Sequence, residues 1–510
     1  MKKSIRQNLD RSKRRIERRL DRKNLGDCTQ PVFAARNINY EIAARVQGIS
    51  HGGIGLIQTL VQRLGLPEAI NRKVKVLKQP KPYFPSDHVL TFAYNALCNG
   101  DCLEDIDGLR QDVNLLNALD ARRIPDPTTA GDFCRRFQST ADIQPLQEVF
   151  DESRLKVWAQ QPAAFFQQAI VDMDGHIAET TGECKQGMDI SYDARWSYHP
   201  LLLTLANTGE VLRIVNRSGN RPSHEGAAEQ VDQAVQLCVR GGFQRVLLRG
   251  DTDFSQTEHL DRWQAVPQVR FIFGYDNIAK LRDHADDLPE TDWQQLERPP
   301  RYQVHTTPRQ RPENVKDRIV TERGYEKLTL EEEHVAEFAY QPGACRQAYR
   351  MVVTRKKIRV EKGQRLLLPK ILYFFYITND RESSAAAIVF SANDRCNQEN
   401  LIAQLSGGVR SLQAPVDNLY SNWAYMVMTS LAWNLKAWLA LLLPEQPGPH
   451  LEKRQEEKRL VLTMEFKKFV KQFMRLPCQI VRGARRLTYR LLNWNPLQPI
   501  FFRALTALRC

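Results

Sequence analysis

The spacing of apolar residues changes along this chain, and each spacing predicts a different kind of structure. From Ile54 to about Trp158 apolar residues recur every three or four positions, as in amphipathic helices. The middle of the chain instead contains short apolar runs of strand length, at 169–178, 200–206, 211–216, 244–249 and 269–274. Helix candidates at Glu225–Val239 and Gln256–Trp263 lie on either side of the fourth run, so the order is strand, strand, strand, helix, strand, helix, strand.

This order predicts an α/β fold with a mixed sheet, arranged as in an RNase H-like catalytic core. Charged and proline-rich sequence then interrupts the alternation, and strands at Tyr349–Arg355 and Ile371–Thr378 predict a β-rich insertion. Helices resume near Glu399. We therefore predict five regions, namely a basic arm with a helical region (1–163), the first part of the core (164–275), the β-rich insertion (276–380), the core segment with the helix of Glu399 (381–445) and a basic helical C-terminal tail (446–510).

Length and charge narrow the class of protein. At 510 residues the chain is too long for one compact domain, and its formal charge of +14 favours a polyanionic partner, either nucleic acid or an anionic membrane surface. The apolar stretch Met426–Pro444 predicts a buried core helix and no membrane span, because Asn434 and Lys436 near its middle are costly in lipid. Ten scattered cysteines without a Cys-x-x-Cys pair, and an N-terminus without a secretory signal, predict a cytoplasmic protein.

Two basic segments in region 1–163 are candidates for contact with DNA phosphates. Residues 2–23 are dominated by Lys and Arg, including Arg14, Arg15 and Arg18, and predict a basic arm that is helical when bound to phosphates. A solvated tail is the alternative interpretation. The segment 124–137 predicts a helix start capped by Thr128 or Thr129, which places Arg135 and Arg136 on the first turns.

Three acidic residues stand in settings that suggest catalysis. Asp174 lies in the apolar run 169–175, Asp251 directly follows Val-Leu-Leu-Arg-Gly, and Glu399 lies in the predicted helical stretch 393–402. Three carboxylates that converge on one point commonly hold divalent cations such as Mg²⁺ or Mn²⁺. In a basic protein, such cations most plausibly act on phosphodiesters.

The first two acidic positions each have a local competitor. Asp172 shares a strand face with Asp174, and Asp253 follows Asp251 by two residues, so either neighbour is an alternative ligand. Arg395 precedes Glu399 by four residues, which puts both on one helical face and lets the guanidinium hold a phosphate.

The chain resembles bacterial insertion-sequence transposases of the DDE type, and most closely the thirteen-eighty family of insertion sequences. The resemblance extends over nearly the whole length. It rests on Ser86-Asp-His-Val-Leu with Ala93-Tyr-Asn-Ala-Leu-Cys, Ile124-Pro-Asp-Pro-Thr-Thr-Ala-Gly-Asp-Phe, Asp172-Met-Asp-Gly, Gly182-Glu-Cys-Lys-Gln-Gly-Met-Asp-Ile-Ser-Tyr, Asn216-Arg-Ser-Gly-Asn-Arg-Pro-Ser-His-Glu-Gly, Arg249-Gly-Asp-Thr-Asp-Phe, Asn393-Asp-Arg-Cys-Asn-Gln-Glu-Asn-Leu-Ile and Ser421-Asn-Trp-Ala-Tyr-Met.

The resemblance implies an RNase H-like core interrupted by a β-rich insertion, and cut-and-paste transposition with Mg²⁺ or Mn²⁺. It implies binding to double-stranded DNA, both terminal inverted repeats and target, by at least a homodimer that pairs two element ends in a bacterial, nucleoid-associated setting. The family triad would fall on Asp174, Asp251 and Glu399, with Asp172 as the alternative for the first position. Arg395 matches the arginine one turn before the catalytic glutamate. Trp293 would either stack on an extruded base or be an ordinary buried tryptophan.

One departure from the related pattern keeps two rival functions open. Relatives carry a lysine two turns after the glutamate, whereas this chain has Ser406 followed by Gly407 and Gly408, which predict an early helix end. Arg410 is a partial substitute for the missing cation. The first rival is a decayed or repurposed DNA-binding copy, and the second is an RNase H-like nuclease without strand transfer.

Overall fold

A computed structural model describes residues 3–21, 46–79, 81–298, 312–363, 365–445, 448–483 and 486–509. The N-terminal part is almost entirely helical. Its elements are α1 (Lys3–Leu20), β1 (Gln47–Ile49), α2 (Ile54–Leu64), α3 (Leu66–Lys73), α4 (Pro85–Leu97), α5 (Ile106–Gln111), α6 (Val113–Leu119), α7 (Pro127–Cys134) and α8 (Thr140–Trp158).

The middle of the chain follows the predicted order of strands and helices. Its elements are β2 (Ala169–Gly175), β3 (Ala178–Glu179), β4 (Asp189–Ile190), β5 (Trp196–Tyr198), β6 (Leu201–Leu205), β7 (Glu210–Val215), α9 (Ala227–Arg240), β8 (Val246–Gly250), α10 (Thr257–Gln264) and β9 (Val269–Tyr275). The three short strands β3, β5 and β4 form a small antiparallel sheet that the sequence pattern did not predict.

The remaining elements contain longer strands and then return to helices. They are α11 (Ala279–Asp286), β10 (Gln294–Gln295), α12 (Val315–Glu322), β11 (Glu326–Tyr340), β12 (Tyr349–Lys362), β13 (Arg365–Leu366), β14 (Lys370–Thr378), α13 (Ala385–Asp394), α14 (Asn397–Ala403), α15 (Leu419–Leu441), α16 (Leu451–Thr463), α17 (Phe466–Phe469), β15 (Cys478–Gly483), β16 (Arg486–Leu491) and α18 (Gln498–Arg509). The segment 446–510 was predicted to be helical, but it also contains the antiparallel pair β15–β16.

The chain divides into two compact units, each assembled from separate stretches of sequence. The first unit comprises Met1–Phe165, Gly175–Arg221 and Glu399–Cys510, and the second comprises Phe166–Asp174 and Pro222–Gln398. The five regions expected from the sequence do not correspond one to one with these units, and their boundaries stay predictions.

The first unit is built around α15, which is buried along its length from Ser421 to Leu441. It packs against α4, α8 and α16, and this explains an apolar stretch long enough to suggest a membrane span. The side chain of Asn434 on this helix is satisfied inside the protein, since it accepts from the amide and donates to the carbonyl of Val211, at 2.9 and 3.1 Å. Within the described residues, none of the helices combines the length and apolarity that a bilayer span requires.

The second unit contains a mixed sheet with the strand order β10-β11-β12-β14-β9-β8-β2, and β13 pairs with β12 at the side. Strands β2, β8 and β9 run parallel, whereas β9, β14, β12, β11 and β10 alternate in direction. Helix α13 covers this sheet through Ile388 and Val389, which pack with Leu247, Ile272 and Val352. The predicted α/β class with a mixed sheet is confirmed.

The longest strand of the insertion was missed by the sequence pattern. Strand β11 reads Glu-Lys-Leu-Thr-Leu-Glu-Glu-Glu-His-Val-Ala-Glu-Phe-Ala-Tyr, and eight of its first nine side chains stay partly or fully exposed. A strand that buries so little of its surface carries weak alternation of apolar and polar residues, which is the signal used to predict strands. Its full-length pairing with β12 stabilises it instead.

Candidate active site

The register of two parallel strands brings Asp174 and Asp251 together. In the pairing of β2 with β8, Asp172 lies opposite Arg249. The offset is 249 − 172 = 77 residues, and the same offset separates the aspartates, since 251 − 174 = 77. Both aspartates therefore stand two positions beyond the last paired residues, at the carboxyl ends of neighbouring parallel strands, where ligands of α/β sheets gather.

Asp172, the alternative for the first position, is used inside the protein. Its side chain is 2% exposed, and both of its oxygens accept hydrogen bonds from Arg249, at 2.6 Å from Nε and 2.8 Å from Nη2. Burial raises the pKa of Asp172, and the Arg249 guanidinium opposes that rise. A buried, bidentate ion pair holds both partners in place, so Asp172 has no oxygen directed at solvent for a metal ion.

Arg395 joins the two remaining aspartates. Its Nη1 donates to Oδ2 of Asp174 at 3.0 Å, and its Nη2 lies 3.8 Å from Oδ2 of Asp251. The guanidinium is 14% exposed, Asp174 is 18% exposed and Asp251 is 38% exposed. Two carboxylate oxygens thus converge on one cation close to the protein surface.

The electrostatics of Asp251 reflect this crowding. Burial raises the pKa of Asp251 to about 6, and the nearby Arg395 guanidinium counteracts that rise. The carboxylates of Asp174 and Asp253 contribute to this rise of the Asp251 pKa to about 6, because like charges disfavour its ionised form. Perturbed carboxylates near the surface are a common property of functional sites.

Small residues leave room for the backbone around the aspartates. A side chain at Gly274 on β9 would meet the backbone of Asp251 and Thr252 at 2.9 to 3.1 Å, so the turn after β8 packs directly on that glycine. A side chain at Gly175, the residue after Asp174, would lie 2.5 Å from Nε2 of His199. These roles were missed by sequence reasoning, although the Asp-Gly motif contained a signal for tight packing at Gly175.

Glu399 occupies the first turn of α14 and is exposed. It is the first residue of the segment 399–510 in the first unit, whereas Asp174, Asp251 and Arg395 belong to the second unit. The structure therefore brings Asp174, Asp251 and Arg395 together, and the assignment of Glu399 to the same site stays a prediction.

The expectation that Arg395 and Glu399 share one helix needs a correction. Helix α13 ends at Asp394, and Arg395 forms its C-cap in a break before α14. In this break the amides of Cys396 and Gln398 donate to carbonyls three residues earlier, at 3.1 and 2.8 Å, so the turn is tighter than an α-helix.

The early helix end predicted at the glycines takes a different form, since the α-helix α14 itself ends at Ala403. After α14 the chain continues as a π-helical turn over Gln404–Val409, which includes Ser406, Gly407 and Gly408. It ends at Arg410, whose backbone is left-handed with φ 64°. The Nε atom of Arg410 lies 3.5 Å from Asp101, so the cation proposed as a substitute for lysine faces a carboxylate.

The predicted DNA-contacting arginines fall into two settings. Arg14, Arg15 and Arg18 lie on α1, which is helical as expected and has no buried residue. Arg135 and Arg136 do not lie on the first turns of their helix, because the cap is Asp126, whose carboxylate accepts from the amide of Thr129 at 2.8 Å. They follow the end of α7 instead.

Arg135 and Arg136 differ in how their charges are compensated. The guanidinium of Arg135 pairs with Asp132 at 2.9 Å and Asp417 at 3.1 Å. Arg136 is exposed, and no ion pair involving its side chain is found among the described residues. It lines a cavity of about 380 Å³ together with Lys78, Lys81 and His88.

Trp293 is a buried residue, as the less specific interpretation had it. It is 7% exposed, and the Arg355 guanidinium lies 4.3 Å above its ring. Arg355 is in turn held by Glu290 through two bonds of 2.7 Å. The indole face on that side is therefore covered and is not accessible to a base.

The aspartate pair fits a divalent cation by its chemistry. Within the described residues, no group of three or more histidine, cysteine or acidic side chains is arranged to hold a metal ion. However, Mg²⁺ commonly takes one or two carboxylates and completes its shell with waters and substrate phosphates. The convergence of Asp174 and Asp251 on one guanidinium shows that two carboxylate oxygens already surround a position for positive charge.

The comparisons with known proteins give one family match and one similar solved structure. The family model described as "Transposase DDE domain group 1" matches residues 36–510. No relative is found among curated proteins. A similar solved structure is the cryo-EM structure of a piggyBac transposase synaptic complex with hairpin DNA, at 10% sequence identity and a TM-score of 0.33. The similarity covers 83% of this chain and 82% of that chain.

Proposed function

The chain belongs to the DDE transposase family, and on that premise we propose that it is the transposase of a bacterial insertion sequence resembling the thirteen-eighty family. It binds the terminal inverted repeats of its element, cleaves the DNA at their ends and joins them to a target by a cut-and-paste route. Its catalytic core is RNase H-like and is interrupted by the β-rich insertion.

One observation carries this proposal. Asp174 and Asp251 stand in register at the ends of neighbouring parallel strands, and the Oδ2 atoms of both face Arg395, at 3.0 and 3.8 Å. The competing Asp172 is held in a buried ion pair with Arg249. This difference between Asp172 and Asp174 supports Asp174 as the first catalytic carboxylate and Asp251 as the second, and we assign Glu399 as the third.

Asp174, Asp251 and Glu399 would hold Mg²⁺ or Mn²⁺. Such ions, when bound, supply an activated attacking hydroxyl and charge stabilisation at the leaving oxygen of a phosphodiester. The protein contributes the fixed strand ends that orient two of the carboxylates, and the packed glycines Gly175 and Gly274 that keep the strand ends close. Arg395, at the surface edge of the pair, is placed to hold a phosphate of the DNA.

The formal charge of +14 supports double-stranded DNA as the partner. Helix α1, which has no buried residue, presents Arg14, Arg15 and Arg18 for phosphate contacts, and Arg136 adds a cation without a carboxylate partner among the described residues. Because two element ends must be joined in one reaction, we expect a homodimer on DNA.

The test is Mg²⁺-dependent nicking of a duplex that carries the inverted repeats flanking the gene. We expect Asp174→Asn, Asp251→Asn and Glu399→Gln each to lower the rate at least about 100-fold, since removing even an outer-shell partner of a metal ligand costs 10- to 100-fold. All three should retain binding to the repeats, because the amides keep the shape of the side chains.

Asp253→Asn is the matched control, since Asp253 is an exposed acidic neighbour whose backbone amide, and not its carboxylate, contacts Asp251. It should cleave at the wild-type rate. An inactive Asp253→Asn beside an active Asp251→Asn would refute the assignment of the second carboxylate. Repeat binding without cleavage by the wild type would identify a decayed or repurposed copy, and cleavage without strand transfer would identify a nuclease.

A further inference from the structure

Arg395 is the only cation among the described residues whose ion pairs reach both Asp174 and Asp251. We propose that Arg395 is a built-in counterion that competes with the divalent cation for these aspartates. In the metal-free protein it holds the two carboxylates together, and on metal binding it is displaced toward the DNA. This inference rests on the proposed function, because it assumes that the aspartate pair is the metal site.

The first argument is that the two cations need the same atoms. Arg395 faces Oδ2 of Asp174 and Oδ2 of Asp251, at 3.0 and 3.8 Å. A divalent ion held by both aspartates would place its charge against the same two carboxylates. Two cations crowded onto one pair of carboxylates repel each other, so binding of one weakens binding of the other.

The second argument is that the guanidinium can leave while the backbone stays. On one side of Arg395, the Ser391 carbonyl accepts from Nη1 of Arg249 at 2.7 Å. On the other side, Nε2 of Gln398 donates to the carbonyl of Asp172 at 3.1 Å. The segment that carries Arg395 is thus fastened to the strands of both aspartates, and displacement requires only a change of side-chain rotamer.

The third argument is the contrast with Arg249. Arg249 is 5% exposed and binds Asp172 through two hydrogen bonds of 2.6 and 2.8 Å, so its side chain is fixed in place. Arg395 is more exposed, donates one hydrogen bond to the pair, and makes its second contact at 3.8 Å, beyond hydrogen-bond range. Of the two arginines beside the strand ends, Arg249 is structural and Arg395 is exchangeable.

The experiment measures Mn²⁺ binding to the full-length protein without DNA, by the loss of the free-ion signal in electron paramagnetic resonance. We expect Arg395→Ala to bind Mn²⁺ about tenfold more tightly than the wild type, within the range typical of coupled sites. Arg395→Lys keeps the charge and should stay near the wild-type affinity. In thermal unfolding, Arg395→Ala should lose stability without Mn²⁺ and regain it when Mn²⁺ saturates the protein.

Arg262→Ala is the control for loss of an arginine, because Arg262 pairs with Asp232 at 2.9 Å on the surface of the same unit. It should leave Mn²⁺ affinity unchanged. Suppose that Asp251→Asn loses the Mn²⁺ binding of the wild type, but Arg395→Ala binds Mn²⁺ no more tightly than the wild type. This result would overturn the counterion proposal and leave the metal site intact. Wild-type binding that survives in both Asp251→Asn and Asp174→Asn would instead overturn the metal site and the counterion with it.

Discussion

Each unit contains a cluster of arginines and carboxylates. Both clusters are built from ion pairs between guanidinium and carboxylate groups, but one is buried and the other is partly exposed. In the first unit, Asp151, Arg154, Glu210 and Arg213 form what we term the saturated cluster. Their side chains are between 0 and 6% exposed. In the second unit, Asp174, Asp251 and Arg395 form the open cluster, with side chains that are 14 to 38% exposed.

The saturated cluster uses every carboxylate oxygen. Oε1 of Glu210 accepts from Arg154 at 3.0 Å and Trp438 at 2.8 Å, and its Oε2 accepts from Trp158 at 3.0 Å and Thr208 at 2.7 Å. Both oxygens of Asp151 accept from arginine side chains, at 2.6 to 2.9 Å. Charges buried this completely are tolerated because each is paired and hydrogen-bonded.

The open cluster lacks this close fit. Between Arg395 and the two aspartates there is one hydrogen bond at 3.0 Å and one longer contact at 3.8 Å. The difference teaches that residue type does not separate structural from functional charge. What separates the two clusters is whether solvent reaches their charged side chains.

The largest expected effect comes from making the same change in both clusters. Glu210→Gln should lower the free energy of unfolding by about 3–5 kcal/mol, because an amide group must then face donors and the buried Arg154 loses one of its two carboxylate partners. Asp251→Asn should change it by less than about 1 kcal/mol, since its contact with Arg395 is long and partly exposed. Urea unfolding of both variants beside the wild type measures the contrast.

In a cleavage assay the order of the two variants should reverse, with the larger loss of activity in Asp251→Asn. Well below its unfolding transition, folded Glu210→Gln should retain cleavage, whereas Asp251→Asn should be inactive. Similar losses of stability in the two variants would show that the open cluster is also structural, and the comparison would fail.

A pH-dependent effect of comparable size is expected at Lys436, a buried amine that no carboxylate faces among the described residues. Its amine donates to the Leu462 carbonyl at 2.8 Å and lies 3.9 Å from the centre of the Trp433 ring. Burial lowers the pKa of Lys436 from 10.5 to about 7. Between pH 7 and 10.5 the unfolded chain therefore binds the additional proton, so stability rises with pH in that window and is flat below it.

Lys436→Met removes this proton linkage. We expect the variant to exceed the wild type in unfolding free energy by about 3–5 kcal/mol below pH 7, and to lose most of that advantage as pH approaches 10. Denaturant unfolding from pH 6 to 10 measures both curves. Parallel curves would mean that Lys436 stays charged in the folded protein.

The smallest expected effect compares the paired Arg135 with its neighbour Arg136. Arg136→Gln should weaken DNA binding several-fold and reduce the slope of log affinity against log salt by about 1, because one phosphate contact is lost. Arg135→Gln should leave the slope unchanged, because Asp132 and Asp417 already compensate that charge. Titration of repeat DNA at several salt concentrations distinguishes them, and equal slopes in the two variants would contradict the assignment of Arg136.

Several helices and the strands β2, β6, β7, β8, β9, β12 and β14 were predictable because local periodicity decides them. The predicted helix at Gln256–Trp263 lies within one residue of α10, and the strand at Ile371–Thr378 lies within one residue of β14. Other features depended on local competition that the pattern does not rank, such as the choice of Asp126 as the cap of α7 over Thr128 or Thr129. The break at Arg395 and the π-helical continuation through Gly407 also escaped prediction.

The sequence by itself determined the α/β order, the basic character and the short set of acidic candidates, because these follow from residue type and spacing. The strand pattern kept both Asp172 and Asp174 as candidates, since they lie on one strand face two residues apart, and only the family resemblance favoured Asp174. Only the tertiary structure decided between their settings, because the register of β2 against β8 sets Arg249 directly opposite Asp172 and leaves Asp174 beside Asp251. Asp172 and Arg249 are 77 residues apart and meet only because β2 pairs with β8, which no local sequence pattern predicts.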